Sequence, residues 1–473
     1  MKRREFIQSV ALGAAAVGAS LTAGAETPRK PNVVYVFADQ WRAQATGYAG
    51  DPNVQTPNID VMAAQCLNLP NAVSGWPVCS PYRGSLITGQ YPHVHGVFCN
   101  DVCLNRGSVS IAEAFKGAGY HTGYIGKWHL DGHGRSSFIP RERRQGFEYW
   151  RVLECTHDYN QSYYYGDSDE KLMWDGYDVF AQTRDAQQYI RDHAAKGPFA
   201  LFLSWGPPHN PYQTAPEEYH AMYDPATLEL RPNVTPEIEE SARKDLAGYY
   251  AHCTALDQCV GDLRKTLRDE GIADDTIFVF TSDHGDMLGS QGEIRKQRPW
   301  DESLRVPFLI EYPRVLGTDA RSDELIINSP DIMPTLLGLS GIAVPRTVQG
   351  TDYSPVLRGE SNYRPEGALM SCLNPFGEWT REKGGREYRG VRTMRYTYVR
   401  SLDGPWLLYD NETDPYQMEN LCNTPGAASV QARLDGLLNQ ILDDVGDEFL
   451  PGAEYVRRWG YETDEHGTVP YKA

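Results

Sequence analysis

Residues 32–37 (NVVYVF), 199–204 (FALFLS) and 276–280 (TIFVF) are almost unbroken runs of β-branched, aromatic and aliphatic side chains. Such runs predict strands buried on both faces. Between them the period lengthens. Thr56-Pro57-Asn58-Ile59-Asp60 offers a threonine cap with proline at the first helical position. Residues 235–270 place apolar side chains at Leu246, Tyr250, Cys253, Leu256, Val260, Leu263 and Leu267, the three-and-four spacing of a long amphipathic helix. Strands alternating with helices predict an α/β fold, a large and mostly parallel central sheet flanked by helices. Chemistry in such sheets collects at the carboxyl ends of strands, where Asp39, Asp283 and His284 fall. Beyond about residue 359 the texture changes. Residues 364–400 are rich in Arg, Gly and Tyr, residues 388–399 (YRGVRTMRYTYV) alternate like an antiparallel strand pair, and residues 430–441 read as a closing helix. The expected division is a catalytic domain over 26–360 and a smaller C-terminal α+β subdomain with an antiparallel sheet over 361–473.

The chain of 473 residues, 23% charged and 41% hydrophobic, is large enough to bury such a core, and it shows no internal repeat or low-complexity linker. Its first residues are of another kind. Lys2-Arg3-Arg4-Glu5-Phe6-Ile7 precedes a short Ala/Gly-rich apolar stretch over 10–19 and the small residues Ala23-Gly24-Ala25. Residues 1–25 therefore read as an export signal, and the paired arginines point to the twin-arginine route; an ordinary secretory signal leads to the same destination. The apolar stretch is too short to span a bilayer, so no membrane span is expected, and the protein is placed in the periplasm or otherwise exported, with the export machinery as a partner. The formal charge is −18, and losing Lys2, Arg3, Arg4 and Glu5 with the leader makes the body more acidic still. Nucleic acid is thus disfavoured as a partner, and an anionic substrate would need a strong local cluster of cations. The nine cysteines are sparse, unlike a disulfide scaffold. Buried free thiols are the default; Cys99 and Cys103 could pair or bind metal, but no second cluster of ligand spacing accompanies them.

Five short segments and Lys296 carry candidate chemistry. Cys79-Ser80-Pro81-Tyr82-Arg83-Gly84 sets a cysteine at a helix start, with unpaired N–H groups beside it and an arginine as a bidentate anion clamp. Asp39 with Gln40, and Asp283 with His284, offer oxygen-rich ligands at two strand ends, a set that suits Ca²⁺ or Mg²⁺. Gly126-Lys127-Trp128-His129 sets lysine and histidine one residue apart, on the same side of an extended segment. Pro207-Pro208-His209-Asn210-Pro211 immobilises a histidine after the strand over 199–204, and Lys296 follows the Asp283 segment, where a solvated lysine beside Arg295 and Arg298 is the alternative.

The stretch 79–91, CSPYRGSLITGQY, resembles the signature of the type I sulfatases, and the similarity runs from about Pro31 to Leu421. The resemblance implies an alkaline-phosphatase-like α/β sandwich with a small C-terminal antiparallel sheet. It implies that Cys79 is oxidised to formylglycine by a maturase and that Arg83 holds the aldehyde hydrate. It also implies a calcium ion on Asp39, Asp283, His284 and the oxygen at position 79; Gln40 stands where many relatives have a second aspartate. Lys127 and Lys296 would neutralise the sulfuryl oxygens, His129 would take a proton from the geminal diol, and His209 or Lys296 would protonate the leaving alcohol after in-line attack on sulfur.

Asp39-Gln40 together with Gly126-Lys127-Trp128-His129 resembles the pattern of exported carbohydrate sulfatases, so the resemblance implies a sulfated glycan as substrate. The polar and aromatic segment 154–165 reads as a sugar-binding wall, with His157 and Asn160 as its candidate contacts; Asp101, shortly after the nucleophile helix, and Arg386, in the loop over 374–392, complete the candidate substrate set. Two rivals are a phosphonate monoester or phosphodiester hydrolase with the same nucleophile, against which the export signal argues, and a non-catalytic sulfated-glycan binding protein, which would have no need of a maturable cysteine.

Overall fold

The computed structural model describes residues 30–104 and 107–470, and the expected export signal over 1–25 lies outside them. The long strands of its main sheet are β1 (Asn32–Asp39), β3 (His121–Lys127), β4 (Tyr149–Leu153), β5 (Phe199–Pro208), β6 (Thr276–Ser282) and β7 (Phe308–Glu311), with two-residue edge strands β2 (Leu67–Asn68) and β8 (Arg321–Ser322). The eight strands lie in the order β8-β2-β7-β6-β1-β5-β3-β4. β1 pairs in parallel with both β5 and β6, and only β7 runs antiparallel to its neighbours. The three apolar runs are thus the three central strands.

Why those runs are apolar at every position is visible in β1. Val33, Tyr35 and Phe37 pack into one core, which includes Tyr82 and Leu86 of helix α2 (Cys79–Thr88) and Ile332 and Leu336 of α5 (Ser329–Leu339). Val34, Val36 and Ala38 pack into a second, with Val179 and Tyr189 of α3 (Asp178–His193) and Leu246, Tyr250 and Leu256 of α4 (Glu239–Asp269). Alternate side chains enter opposite layers, so neither face reaches water. The expected long helix is α4, which starts only after a 3₁₀ turn over Pro236–Ile238. Helix α1 (Pro57–Ala63) begins with proline as expected, but Thr56 does not cap it with its side chain; its hydroxyl instead donates to Asp60 and accepts from Gly47.

The C-terminal segment forms a four-stranded antiparallel sheet, β9 (Gly367–Cys372), β10 (Tyr388–Thr393), β11 (Tyr396–Ser401) and β12 (Gly404–Asp410). Helix α6 (Ala428–Val445) covers it through Leu434, Leu438 and Leu442, which meet Leu369, Val391, Tyr398 and Leu408. It is longer than the sequence pattern suggested, and a further helix, α7 (Gly452–Trp459), follows it. Arg392 of β10 reaches back to Asp301 at 2.9 Å, a buried pair that ties this sheet to the segment after Lys296. No helix of the described residues is long and apolar enough to cross a membrane.

Candidate active site

Cys79 is the first residue of α2, entered from extended backbone at Val78, and it is fully buried. Its Sγ lies 3.4 Å from Asp39 Oδ1 at the end of β1 and 3.3 Å from His284 Nε2 just past β6. Two ammonium groups flank it, Lys296 Nζ at 3.4 Å and Lys127 Nζ, from the end of β3, at 3.8 Å. Burial alone would push the thiol up and Asp39 adds to that, but Lys127, Lys296 and His284 outweigh both and hold it well below the ordinary range. A buried position surrounded by cations stabilises negative charge on whatever group stands at 79.

Arg83 lies one helical turn on from Cys79, and its bonds go to the floor rather than to the sulfur. Nη2 donates to Asp39 Oδ2 at 3.1 Å and to Asp283 Oδ2 at 2.9 Å, and Nη1 donates to the Lys127 carbonyl and to Ser204 Oγ, both at 2.7 Å. Lys127 Nζ adds a bond of 2.7 Å to Asp39 Oδ2. The Oδ2 atoms of both aspartates are thereby engaged, and the Oδ1 atoms are turned inward. His284 donates from Nδ1 to the Gly285 carbonyl at 2.9 Å, and its Nε2 lies 3.5 Å from Asp39 Oδ1 and 3.6 Å from Asp283 Oδ1. One ligand atom from each of Asp39, Cys79, Asp283 and His284 lies within 4.8 Å of the others. Carboxylate oxygens with an imidazole, all buried and with their outer atoms already bonded, fit a hard divalent cation.

Gln40 sits beside this group in left-handed backbone, φ 74°, with its N–H donating to Asp283 Oδ1 at 3.0 Å. Its amide points elsewhere, with Nε2 donating to Asp286 Oδ2 at 2.6 Å and Oε1 accepting from Lys296 Nζ at 3.2 Å. Gln40 therefore aims Lys296. That lysine is buried, which excludes the surface alternative. It also donates to His209 Nε2 at 2.7 Å, while His209 Nδ1 donates to the Asn210 carbonyl at 2.7 Å. Burial and the Lys296 charge hold His209 neutral, its pKa well below the usual imidazole value. The strand leading to it is longer than expected, since β5 runs through Pro208.

His129 corrects the expectation of an extended segment. Its φ is 58°, so the same-side rule for alternate strand residues does not apply. Its placement comes instead from Asp101, whose Oδ1 lies 3.3 Å from His129 Nε2 and whose two oxygens accept from Arg135 at 2.8 Å each. Against the cost of burial, Cys155, Asp101 and Cys79 push His129 up to about 10. Asp101 is buried and both its oxygens are engaged, so it orients His129 and is not aimed at a sugar.

The outer residues separate into two kinds. His157 is exposed and stacks on His209, centroids 4.7 Å apart and planes 7° apart, so it borders the pocket. Arg386 is exposed over the Trp406 ring at 4.4 Å. Asn160 is exposed and donates from Nδ2 to the Thr214 carbonyl at 3.0 Å, and Glu154 is buried beneath the loop, accepting from the backbone N–H groups of Asp131 and Gly132. Of the proposed wall, Tyr164 stacks on Trp174 at 4.0 Å. Arg135, Asp286, Ser204 and Tyr212 were not singled out from the sequence. No spacing announces them, because each acts through a contact distant along the chain.

A family model described as sulfatase matches residues 31–342, and one described as N-sulphoglucosamine sulphohydrolase, C-terminal, matches residues 289–444. This chain belongs to the sulfatase family. An ulvan-active sulfatase of Formosa agariphila is 45% identical to it over 94% of this chain and 88% of that protein. An endo-4-O-sulfatase of Bacteroides thetaiotaomicron is 31% identical over 84% of this chain and 89% of its own length. A structure from Bacteroides thetaiotaomicron, solved in connection with the metabolism of multiple glycosaminoglycans, has a TM-score of 0.82 at 29% identity and covers 91% of this chain and 99% of its own. The sulfatase is thus an α/β enzyme of the expected alkaline-phosphatase-like class.

Proposed function

We propose that this sulfatase is exported, is matured by conversion of Cys79 to formylglycine, and hydrolyses sulfate esters on a sulfated glycan. The observation that carries the reading is the setting of Cys79, whose Sγ is flanked by Lys296 at 3.4 Å, Lys127 at 3.8 Å and His284 at 3.3 Å in a fully buried floor. The substrate class is supported by the relatives that act on ulvan or bear the name endo-4-O-sulfatase. A calcium ion, held by Asp39, Asp283, His284 and the group at position 79, would supply positive charge to the attacking oxygen that formylglycine provides.

The chain's own groups divide the remaining work. Lys127 and Lys296 neutralise the sulfuryl oxygens as charge moves onto them. Arg83 keeps Asp39 and Asp283 in register and leaves their inner oxygens turned toward position 79. Because His209 Nδ1 bonds to the Asn210 carbonyl, its Nε2 accepts from Lys296, and the proton nearest the leaving oxygen sits on Lys296 Nζ. His209 therefore orients that ammonium. His129, held at Nε2 by Asp101, has a buried Nδ1 without a partner, the atom from which it exchanges a proton with the group at 79.

Peptide mass spectrometry of the segment around Cys79 in natively produced protein, paired with sulfate release from a panel of sulfated sugars, tests this. Formylglycine at 79 and release from a sugar sulfate are expected. Active protein carrying only a thiol at 79 would overturn the nucleophile, and hydrolysis of phosphonate monoesters or phosphodiesters without sulfate release would put the rival activity in its place.

A further inference from the structure

One carboxylate of the C-terminal segment faces Arg295, the residue before Lys296. Glu378 lies in the short 3₁₀ turn Gly377–Trp379 of the C-terminal segment. The turn is fixed to the stretch just after Lys296: Gln297 Nε2 donates to the Phe376 carbonyl at 2.9 Å, the Phe376 N–H donates back to Gln297 Oε1 at 3.3 Å, and the Arg298 guanidinium lies 5.5 Å over the buried Trp379 ring. The backbone is anchored, yet the Glu378 side chain is 42% exposed. Its neighbour is Arg295, 20% exposed, whose Nε is 3.9 Å from Glu378 Oε1 and whose guanidinium lies 4.8 Å over the Tyr212 ring. That separation is too long for a hydrogen bond, and a solvent-facing pair of this kind contributes little to stability. Arg295 precedes Lys296 in the chain and Arg298 Nη2 donates to the Glu378 carbonyl at 3.5 Å, so the turn lies beside the segment that carries the lysine touching Sγ.

A negative charge there weakens attraction for every anionic substrate, so it needs a compensating role. We propose that Glu378 is a specificity-determining residue: its carboxylate accepts a hydrogen bond from a free hydroxyl next to the sulfated position of the sugar, and it disfavours sugars that carry a second sulfate or a carboxylate at that place. The proposal rests on the sulfated-sugar reading above. Arg295, stacked on Tyr212, faces the carboxylate at 3.9 Å without a hydrogen bond to it. A hydroxyl gains one charge-assisted bond, and a second anion meets repulsion across a partly desolvated gap.

The test compares kcat/KM for a monosulfated hexose whose other hydroxyls are free with that for the same sugar carrying a second sulfate on the neighbouring hydroxyl, in the matured wild type and in Glu378→Gln. Because both sugars are read by the same enzyme molecules, their ratio is independent of how much of the variant is folded or matured. The wild type is expected to prefer the monosulfated sugar, and the substitution to lower that preference about tenfold. A ratio within twofold of the wild type overturns the role of Glu378. Absence of sulfate release from both sugars by the wild type instead overturns the substrate reading itself.

Discussion

Arg83 is the counter-charge that makes two adjacent buried aspartates tolerable, and its removal gives a quantitative test. In Arg83→Ala, Asp39 keeps Lys127 at 2.7 Å, but Asp283 keeps only the Gln40 N–H at 3.0 Å as a close donor. The Lys127 carbonyl retains the Tyr124 hydroxyl at 2.8 Å, so the loss falls mainly on Asp283. Stranding one partner of a buried ion pair costs about 3–5 kcal/mol. Arg83→Lys keeps a charge but not the planar fork that reaches four acceptors. It should lose about 2–3 kcal/mol, one charged bond and a share of the neutral ones. Adding Asp283→Asn to Arg83→Ala removes the stranded charge and should recover about 1–3 kcal/mol of the deficit. The assay is denaturant unfolding at neutral pH of metal-free protein with cysteine at 79, so that neither the ion nor the modification supplies the missing charge. A deficit below about 1 kcal/mol for Arg83→Ala, or no recovery on neutralising Asp283, would refute the reasoning and return Arg83 to a role on the nucleophile alone.

Exhaustive chelation should abolish sulfate release, and calcium should restore it more fully than zinc because the donors are mainly carboxylate oxygens; unchanged rates after chelation and in Asp283→Ala would put the ion elsewhere. Asp178 is a buried acid whose Oδ1 has no partner, facing a cavity of about 10 Å³ that Gln182 also lines, and burial raises its pKa well above the ordinary value. A raised carboxylate gives its full stability below the unfolded pKa of about 4 and loses it as pH rises toward the folded value. Asp178→Asn should therefore flatten the fall in unfolding free energy between about pH 4 and pH 8 and stabilise the protein at the upper end, and an unaltered slope would contradict this. His157→Ala should lower kcat/KM on a sulfated sugar about tenfold and on a small aryl sulfate much less, read by initial rates; equal losses would mean that its stack on His209 serves the catalytic floor.

What could be read along the chain and what could not divide by the range of the interaction. The runs over 32–37, 199–204 and 276–280 declared the central strands because burial on both faces is a local demand on composition. Asp39, Cys79, Lys127, His209 and Asp283 were legible because each lies at or just past a strand end or at a helix start, where a short motif fixes the exit of the side chain. His129 was legible by motif and misjudged by geometry. A left-handed residue has no period-two partner, and it was Asp101 and Arg135, not strand parity, that turned the ring. Gln40 likewise was weighed as a ligand, yet its amide spans Asp286 and Lys296, 246 and 256 residues away. Glu378 is a further case, brought beside the Lys296 segment by the Gln297–Phe376 bonds across 79 residues and by Arg298. The floor of a sulfatase must hold the same small anion in every member, and its residues can therefore ride on rigid local motifs. The rim must meet a particular sugar, and here it is assembled by contacts between distant loops, for which spacing along the chain carries no information.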